Sequence, residues 1–539
     1  GLAGDALTTG TNNVAMGYGA LGSEDTGGQN IAIGVNALNT LNYNGNGLNV
    51  AVGYNAGVLM TTGEQNTLIG GLSGDALTDG NTNVAVGYQS LGSETRGDRN
   101  VAVGKDALAS QNNTSDTDVY NTAVGYAAGH AVTTGNSNTI IGGLAGDALT
   151  TGSNNVAIGY LALSTEDGHG RNVAIGRQAL KDQDAGVDAY NIAIGYNSGM
   201  SISTGAYNTL MGGLAGDALT TGTGNVAIGY QALSAEDGNG RNIAVGVNAL
   251  RDLNAGADAY NVAVGYEAGK LVSSGVNNVL IGGFAGEALT TGASNVAIGH
   301  AALNAEDGDG RNVAIGYHAL LVQNAGADAY NVAIGYNAGL SVTTGNYNIL
   351  IGGTAGDALT TGNENIAIGF SALGAEDSGG KNIAIGYKSL EVLDAGADGN
   401  NVAVGRDSGR AMSTGIQNTI VGALCGDALT TGDNNIIIGY NAAASAVGVD
   451  NEITLGDANI SAFRCADQSI AALSDGRDKS EVEESPYGLE FINKLKPVKF
   501  TWDFRPEHMS DVKQGKSRVG FIAQDLQEAM PNNDNDVLD

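Results

Sequence analysis

A short phrase of the form Asn-Val-Ala-Ile-Gly returns along most of this chain and limits what it can fold into. Its closing glycines run from Gly17 to Gly456 and mark 26 elements. Within one long unit their numbers rise by 17, 19, 17 and 17, as at Gly159, Gly176, Gly195, Gly212 and Gly229. The long unit is announced by Gly-Asp-Ala-Leu-Thr-Thr-Gly, with its acidic residue at Asp5, Asp75, Asp147, Asp217, Glu287, Asp357 and Asp427. Those numbers differ by a constant 70, save for 72 between Asp75 and Asp147. An element this short cannot bury an apolar face alone, so it must stack on its neighbours as one coil of a solenoid.

Each coil reads as β-structure. Val156 and Ile158 alternate with Ala157, the period-two pattern of a short strand. Gly159 ends it where the chain must bend or approach a neighbour closely. A second strand is expected over Tyr160-Leu161-Ala162-Leu163, followed by a polar turn. Helix is excluded, because Gly and Asn recur too often. Asn precedes the strand in 25 of the 26 coils, as at Asn155, Asn172, Asn191 and Asn208, and Glu452 replaces it in the last. Stacked at about 4.8 Å, these amides can bond from coil to coil and satisfy turn backbone. Such a stack is on the order of 120 Å long. Two orientations remain open. Ala and Gly inside would leave a Val/Ile face outside in need of a partner chain, whereas the reverse makes a self-sufficient monomer. Identical apolar rows along a thin fibre favour the first.

The formal net charge is −32, from 24 Lys+Arg against 56 Asp+Glu, which argues against a nucleic-acid partner. No apolar run is long enough to span a bilayer, so no membrane insertion is expected. Cys425 stands where other units carry alanine, such as Ala215 and Ala285, and reads as a small buried filler; Cys465 is the other cysteine. The loops Glu166-Asp167-Gly168-His169-Gly170-Arg171, Glu236 to Arg241 and Glu306 to Arg311 are acidic and glycine-rich. They miss the spacing of known calcium loops and read as solvated turns, so no metal and no cofactor is expected. Tyr190, Tyr260 and Tyr330 recur at a spacing of 70 and either contact sugars or pack over the turn, the second being preferred. The Thr-Thr pairs fall on about every second coil, which does not make an ice-binding array. No Ser/His/Asp set or carboxylate pair recurs as glycosidase chemistry would need.

All four prolines (Pro486, Pro497, Pro506, Pro531) and the only tryptophan, Trp502, lie beyond Ser474-Asp475-Gly476-Arg477-Asp478-Lys479. A change this abrupt separates two architectures. The coils resemble the head domains of trimeric autotransporter adhesins, left-handed parallel β-rolls, over roughly residues 1 to 460. They differ in having longer coils and a regular four-coil unit. Handedness and a trimeric state are implied by that resemblance. The tail resembles the intramolecular chaperone domains that end phage tail fibres and tailspikes, endosialidase tailspikes included. Three motifs carry this: Ser474-Asp475…Arg477…Lys479, Leu495-Lys496-Pro497…Phe500…Trp502, and Gly520-Phe521-Ile522-Ala523-Gln524…Pro531. The resemblance implies a domain that drives trimerisation and releases itself by cutting before the serine. Ser474 would be the nucleophile, Lys479 the general base and Leu473–Ser474 the scissile bond, with Asp475 and Arg477 orienting the loop. Lysine serves as a base once burial or nearby cations lower its pKa, so cutting could follow assembly. That activity is at most a single self-cleavage. The family domain continues into a long helix, whereas this chain stops at Asp539, so the domain is expected to be truncated.

The fold expected is thus mostly β: a repetitive parallel β-solenoid or β-roll, homotrimeric, followed by a small α+β chaperone domain. The divisions are 1–460 for the shaft, 461–473 for a connector or tip and 474–539 for the chaperone domain. The function expected is a structural and receptor-binding viral tail fibre or spike, located in the virion and facing a host surface. Its partners would be two further copies of itself, a host cell-surface glycan or protein, and other virion tail proteins reached through a segment preceding Gly1. The alternatives are a cell-surface adhesin and a polysaccharide-degrading tailspike.

Overall fold

The computed structural model describes residues 1–462 except 239 and 309, together with 464, 488–501 and 517–529. The chain divides into two compact units, Gly1–Ser461 and Ala462–Asp539.

The first unit is a parallel β-solenoid whose main sheet has 26 strands, one per coil. Each strand is short and pairs in parallel with the strands before and after it. Val156–Ile158 meets Val173–Ile175 in the register Val156↔Val173, Ala157↔Ala174, Ile158↔Ile175. The sequence step of 17 or 19 is therefore the register itself, seen equally in the pairs Asn155 with Asn172 and Asn172 with Asn191. Between Gly104 and Gly125 the coil is longer, and there Gly97–Asp98 pairs with Thr117–Asp118 as a short outer ladder.

The central residue of most strands is an Ala that points inward and is fully buried, as at Ala157, Ala174 and Ala193. The flanking Val156 and Ile158 face outward and are half-buried. Of the two orientations the sequence leaves open, the protein adopts the narrow Ala-lined interior.

The second side of the coil is not a strand. Leu161 and Leu163 both take left-handed backbone angles, φ 55° and 51°. Neighbouring residues of a strand point to opposite faces, yet Ala162 and Leu163 are adjacent and both fully buried. The left-handed kinks permit this by curling the chain around the core. Backbone bonds to the coils on either side hold the curl: Leu161 N–H donates to Gly143 O (3.2 Å) and Leu163 N–H to Ala179 O (3.0 Å). A left-handed non-glycine residue costs about 1 kcal/mol, and burying a leucine side chain returns about 2 kcal/mol. The expectation of a strand over Tyr160–Leu163 is corrected on this point. The glycine between the sides has no alternative: Gly159 lies at φ 137°, and a Cβ there would run into the Gly176 carbonyl oxygen.

The four-coil unit is a packing period. At the strand centre its coils carry Ala157, Ala174, Ala193 and Leu210. Four places after the glycine they carry Leu163, Leu180, Gly199 and Gly216, and seven after it Glu166, Gln183, Ile202 and Leu219. All twelve are buried. Where the strand contributes leucine, the opposite wall gives way to glycine. A Cβ at Gly199 would stand 2.7 Å from Leu210 Cδ1 and 3.1 Å from Ile202 Cδ1. Interior volume is thereby conserved from coil to coil.

The asparagine column runs along one corner of this core. Asn155 N–H donates to Asn138 Oδ1 (2.9 Å), and Asn155 Oδ1 accepts from Asn172 N–H (3.0 Å). Its Nδ2 donates across the turn to His169 O (3.2 Å). The expected ladder is present, with the coil-to-coil bond made mainly from backbone N–H to amide oxygen. Deleting one such side chain strands a buried donor and a buried acceptor, at about 1–3 kcal/mol each. Glu452 ends the column by turning its carboxylate onto its own coil, where it accepts from Ser445 N–H (3.0 Å) and Thr454 Oγ1 (2.7 Å). Cys425 is the buried filler expected: its Sγ donates to Ile437 O (3.1 Å), and burial pushes its thiol up to about 11.

The second unit, where described, is α+β. Helix Leu489–Lys494 precedes strand Val498–Thr501, which pairs antiparallel with Ser517–Gly520, and helix Ala523–Ala529 follows.

Candidate functional site

The solenoid presents two distinct outer surfaces. On the strand side, stacking turns the flanking residues into continuous rows, so that Val226, Ile243 and Val262 lie above one another. These side chains shield each other along the row but remain open outward; Ile192 is 37% and Ile228 36% exposed. An aromatic residue often follows the glycine beside them. His300, Tyr317 and Tyr336 stack with centroids 5.4 and 5.5 Å apart, and Phe370 stacks on Tyr387 at 5.6 Å. An apolar strip repeated over this many coils exceeds the scattered hydrophobic residues of an ordinary surface.

The turn side is polar. Arg171 lies over the ring of Tyr190 (5.4 Å to the centroid), donates to its hydroxyl (2.9 Å) and pairs with Asp188. The set returns as Arg241, Asp258 and Tyr260, and as Arg311, Asp328 and Tyr330. The tyrosines do pack, as preferred from the sequence, but under arginine, and they stay about half exposed. Tyr190 and Tyr330 also stack on Tyr207 and Tyr347, at 5.7 and 5.4 Å.

The acidic loops need a correction. Asp167, Asp237, Asp307 and Asp377 are exposed, but the glutamate at this position of the coil is a core residue: Glu24, Glu94, Glu166, Glu236, Glu306 and Glu376 are all fully buried. The signal was available, because each occupies the position that holds Ile202 or Leu219 in other coils. A charge so placed needs donors. Glu376 receives N–H groups from Gly379 (2.6 Å) and Ala395 (3.2 Å), although burial still holds its carboxyl above the ordinary range. Glu166 receives one from His169 (3.1 Å), and burial raises it to about 7.

The residues expected to cut the chain, Ser474 and Lys479, with Asp475, Arg477 and the Leu473–Ser474 bond, lie outside the described residues. The other motifs are partly described. Lys496 and Pro497 lead into the strand bearing Phe500, whose partner is Arg518, while Gly520 pairs with Val498 and leads into the second helix. Helix Leu489–Lys494 buries none of its residues. Leu489 is 75% and Val519 74% exposed, with Ile492, Phe521 and Ile522 also open. These five apolar side chains are therefore uncovered within one chain.

No helix among the described residues is long and apolar enough to cross a membrane. No curated protein matches the chain. Residues 474–535 match the family described as the chaperone of endosialidase. The chain thus joins a β-solenoid of 26 coils to a carboxy-terminal segment that matches the endosialidase-chaperone family, an arrangement that matches a tail fibre or spike with a carboxy-terminal chaperone domain.

Proposed function

We propose that this chain is the shaft of a homotrimeric, receptor-binding viral tail fibre or spike, whose carboxy-terminal domain aligns three chains and then leaves by self-cleavage before Ser474. The match of residues 474–535 to the endosialidase chaperones carries this reading. The physical need for such a device supports it. Near-identical coils can pair in many registers that differ little in energy. A trimeriser that fixes the chain ends before the coils wind removes that degeneracy. The outward Val/Ile rows and the uncovered Leu489, Ile492 and Val519 are the surfaces that partner chains would cover.

In the cleavage, Lys479 takes the Ser474 hydroxyl proton and Oγ attacks the Leu473 carbonyl carbon. The Leu473–Ser474 amide becomes an ester, its nitrogen gaining a proton, and water hydrolyses that ester. The released shaft would act in the virion, between other tail proteins and a host-surface glycan or protein. The half-exposed tyrosines with their arginine and aspartate neighbours are surfaces suited to glycan contact.

The test is the intact mass of the purified chain beside its Ser474→Ala variant, with both run unboiled on a denaturing gel. A wild-type mass ending at Leu473, an uncut variant and a heat-resistant trimer band are expected. Wild-type protein that retains residues 474–539 rules out self-cleavage, and monomeric bands throughout rule out the trimeric shaft.

A further inference from the structure

We propose that the turn of Glu166, Asp167 and His169, with Asp184 from the next coil, is a binding site for one divalent transition-metal ion of the zinc class. Each of the four offers a ligand atom, and those atoms lie within 4.8 Å of one another. Glu166 is fully buried, and its Oε2 has no hydrogen-bond partner; His169 Nδ1 is likewise unpartnered and lies 3.6 Å from Glu166 Oε1, too far for a hydrogen bond.

Glu94, at the same position of an earlier coil, has both carboxylate oxygens satisfied. Glu94 Oε1 accepts from Gly97 N–H (2.8 Å) and Asn113 N–H (2.9 Å), and its Oε2 from Gln111 Nε2 (2.8 Å) and Asn113 Nδ2 (2.9 Å). At Glu166 only the first of these survives, as His169 N–H to Oε1 (3.1 Å), and the donors to Oε2 are gone. Ala185 stands in the place of Asn113. Gln183, in the place of Gln111, faces away, donating to Ser203 O (3.3 Å) and accepting from Asn191 Nδ2 (2.6 Å). In their place stand an imidazole and two further carboxylates. This crowding of acidic groups is unfavourable alone and favourable around a cation. The second acidic group, Glu376, Asp377 and Asp394, has no such need, since both oxygens of Glu376 accept backbone N–H groups. One nitrogen with carboxylate oxygens suits zinc and its neighbours, whereas calcium prefers oxygen alone. The turn adds one more indication of specificity: the residue equivalent to His169 is Asn239 in the following unit.

The test uses the full chain without a histidine tag, dialysed against Zn²⁺ alone, with bound metal measured by mass spectrometry. His169→Asn borrows the residue of the following unit and should fold; Glu166→Gln removes the buried charge. Circular dichroism confirms the solenoid in both. One bound zinc per chain is expected, with affinity at least about tenfold weaker in each variant. Wild-type protein that binds no zinc, or no more than His169→Asn does, overturns the proposal. Displacement of the bound zinc by an equal concentration of Ca²⁺ overturns the zinc class.

Discussion

Glu376 stands in the solenoid interior where other coils place leucine or isoleucine, and this gives the solenoid a pH dependence opposite to that of most paired carboxylates. Burial raises its pKa above 4.5, against the pull of the Ala395 and Gly379 N–H groups. A carboxyl raised on folding stabilises the native state fully below its unfolded pKa, and loses that contribution as pH rises through the folded value. Melting of the wild type should therefore shift downward more between about pH 4.5 and about pH 8 than melting of Glu376→Gln. Equal pH dependence in the two proteins would contradict the argument. This residue also marks a limit of sequence reading. Glu-Asp-Gly looks like a solvated turn by composition. Only alignment of the coils by their glycines shows that the glutamate shares a column with Ile202 and Leu219.

At the scale of the element, strand, register and asparagine column were all legible, because each repeats at a fixed offset from the glycine. The far side of the coil was not. Leu161 and Leu163 suggest a second strand by their alternation, but the buried pair Ala162 and Leu163 can face inward together only through left-handed backbone, which propensity does not announce. The packing period was visible as a four-coil repeat without its cause, since the exchange of Leu210 against Gly199 links positions on opposite walls. That exchange is testable as a double-mutant cycle. Leu210→Ala alone should cost about 3 kcal/mol through the cavity it leaves. Gly199→Ala alone meets both backbone strain at φ 58° and overlap with Leu210. In the Leu210→Ala background only the strain, about 1 kcal/mol, should remain. Hydrogen exchange of the amides in these coils measures each opening free energy, and a coupling of at least about 1 kcal/mol is expected. Additive costs would show that the two walls do not pack as a pair.

For the whole molecule, the deciding quantity is what covers the Val/Ile rows. Alanine at most strand centres, with leucine or glycine on the opposite wall, fills the interior of a coil, so the β-branched residues flanking the strand centre are left for the outside. If one chain were the functional form, Ile228 and Ile298 would be ordinary surface residues, and replacing them would change stability by less than about 0.5 kcal/mol. In a trimer closed along those rows, each lysine would be desolvated in three copies beside its own equivalents, which charge repulsion and burial both oppose. The double variant Ile228→Lys, Ile298→Lys separates the two cases. Its circular dichroism should match the wild type, because the backbone ladder and the Ala core are untouched. Its trimer band should vanish at a lower temperature than the wild-type band, and light scattering should report a smaller mass. An unchanged mass together with unchanged heat resistance would place the contact between chains elsewhere, leaving the Val/Ile rows as an exposed face whose partner is not another copy of this chain.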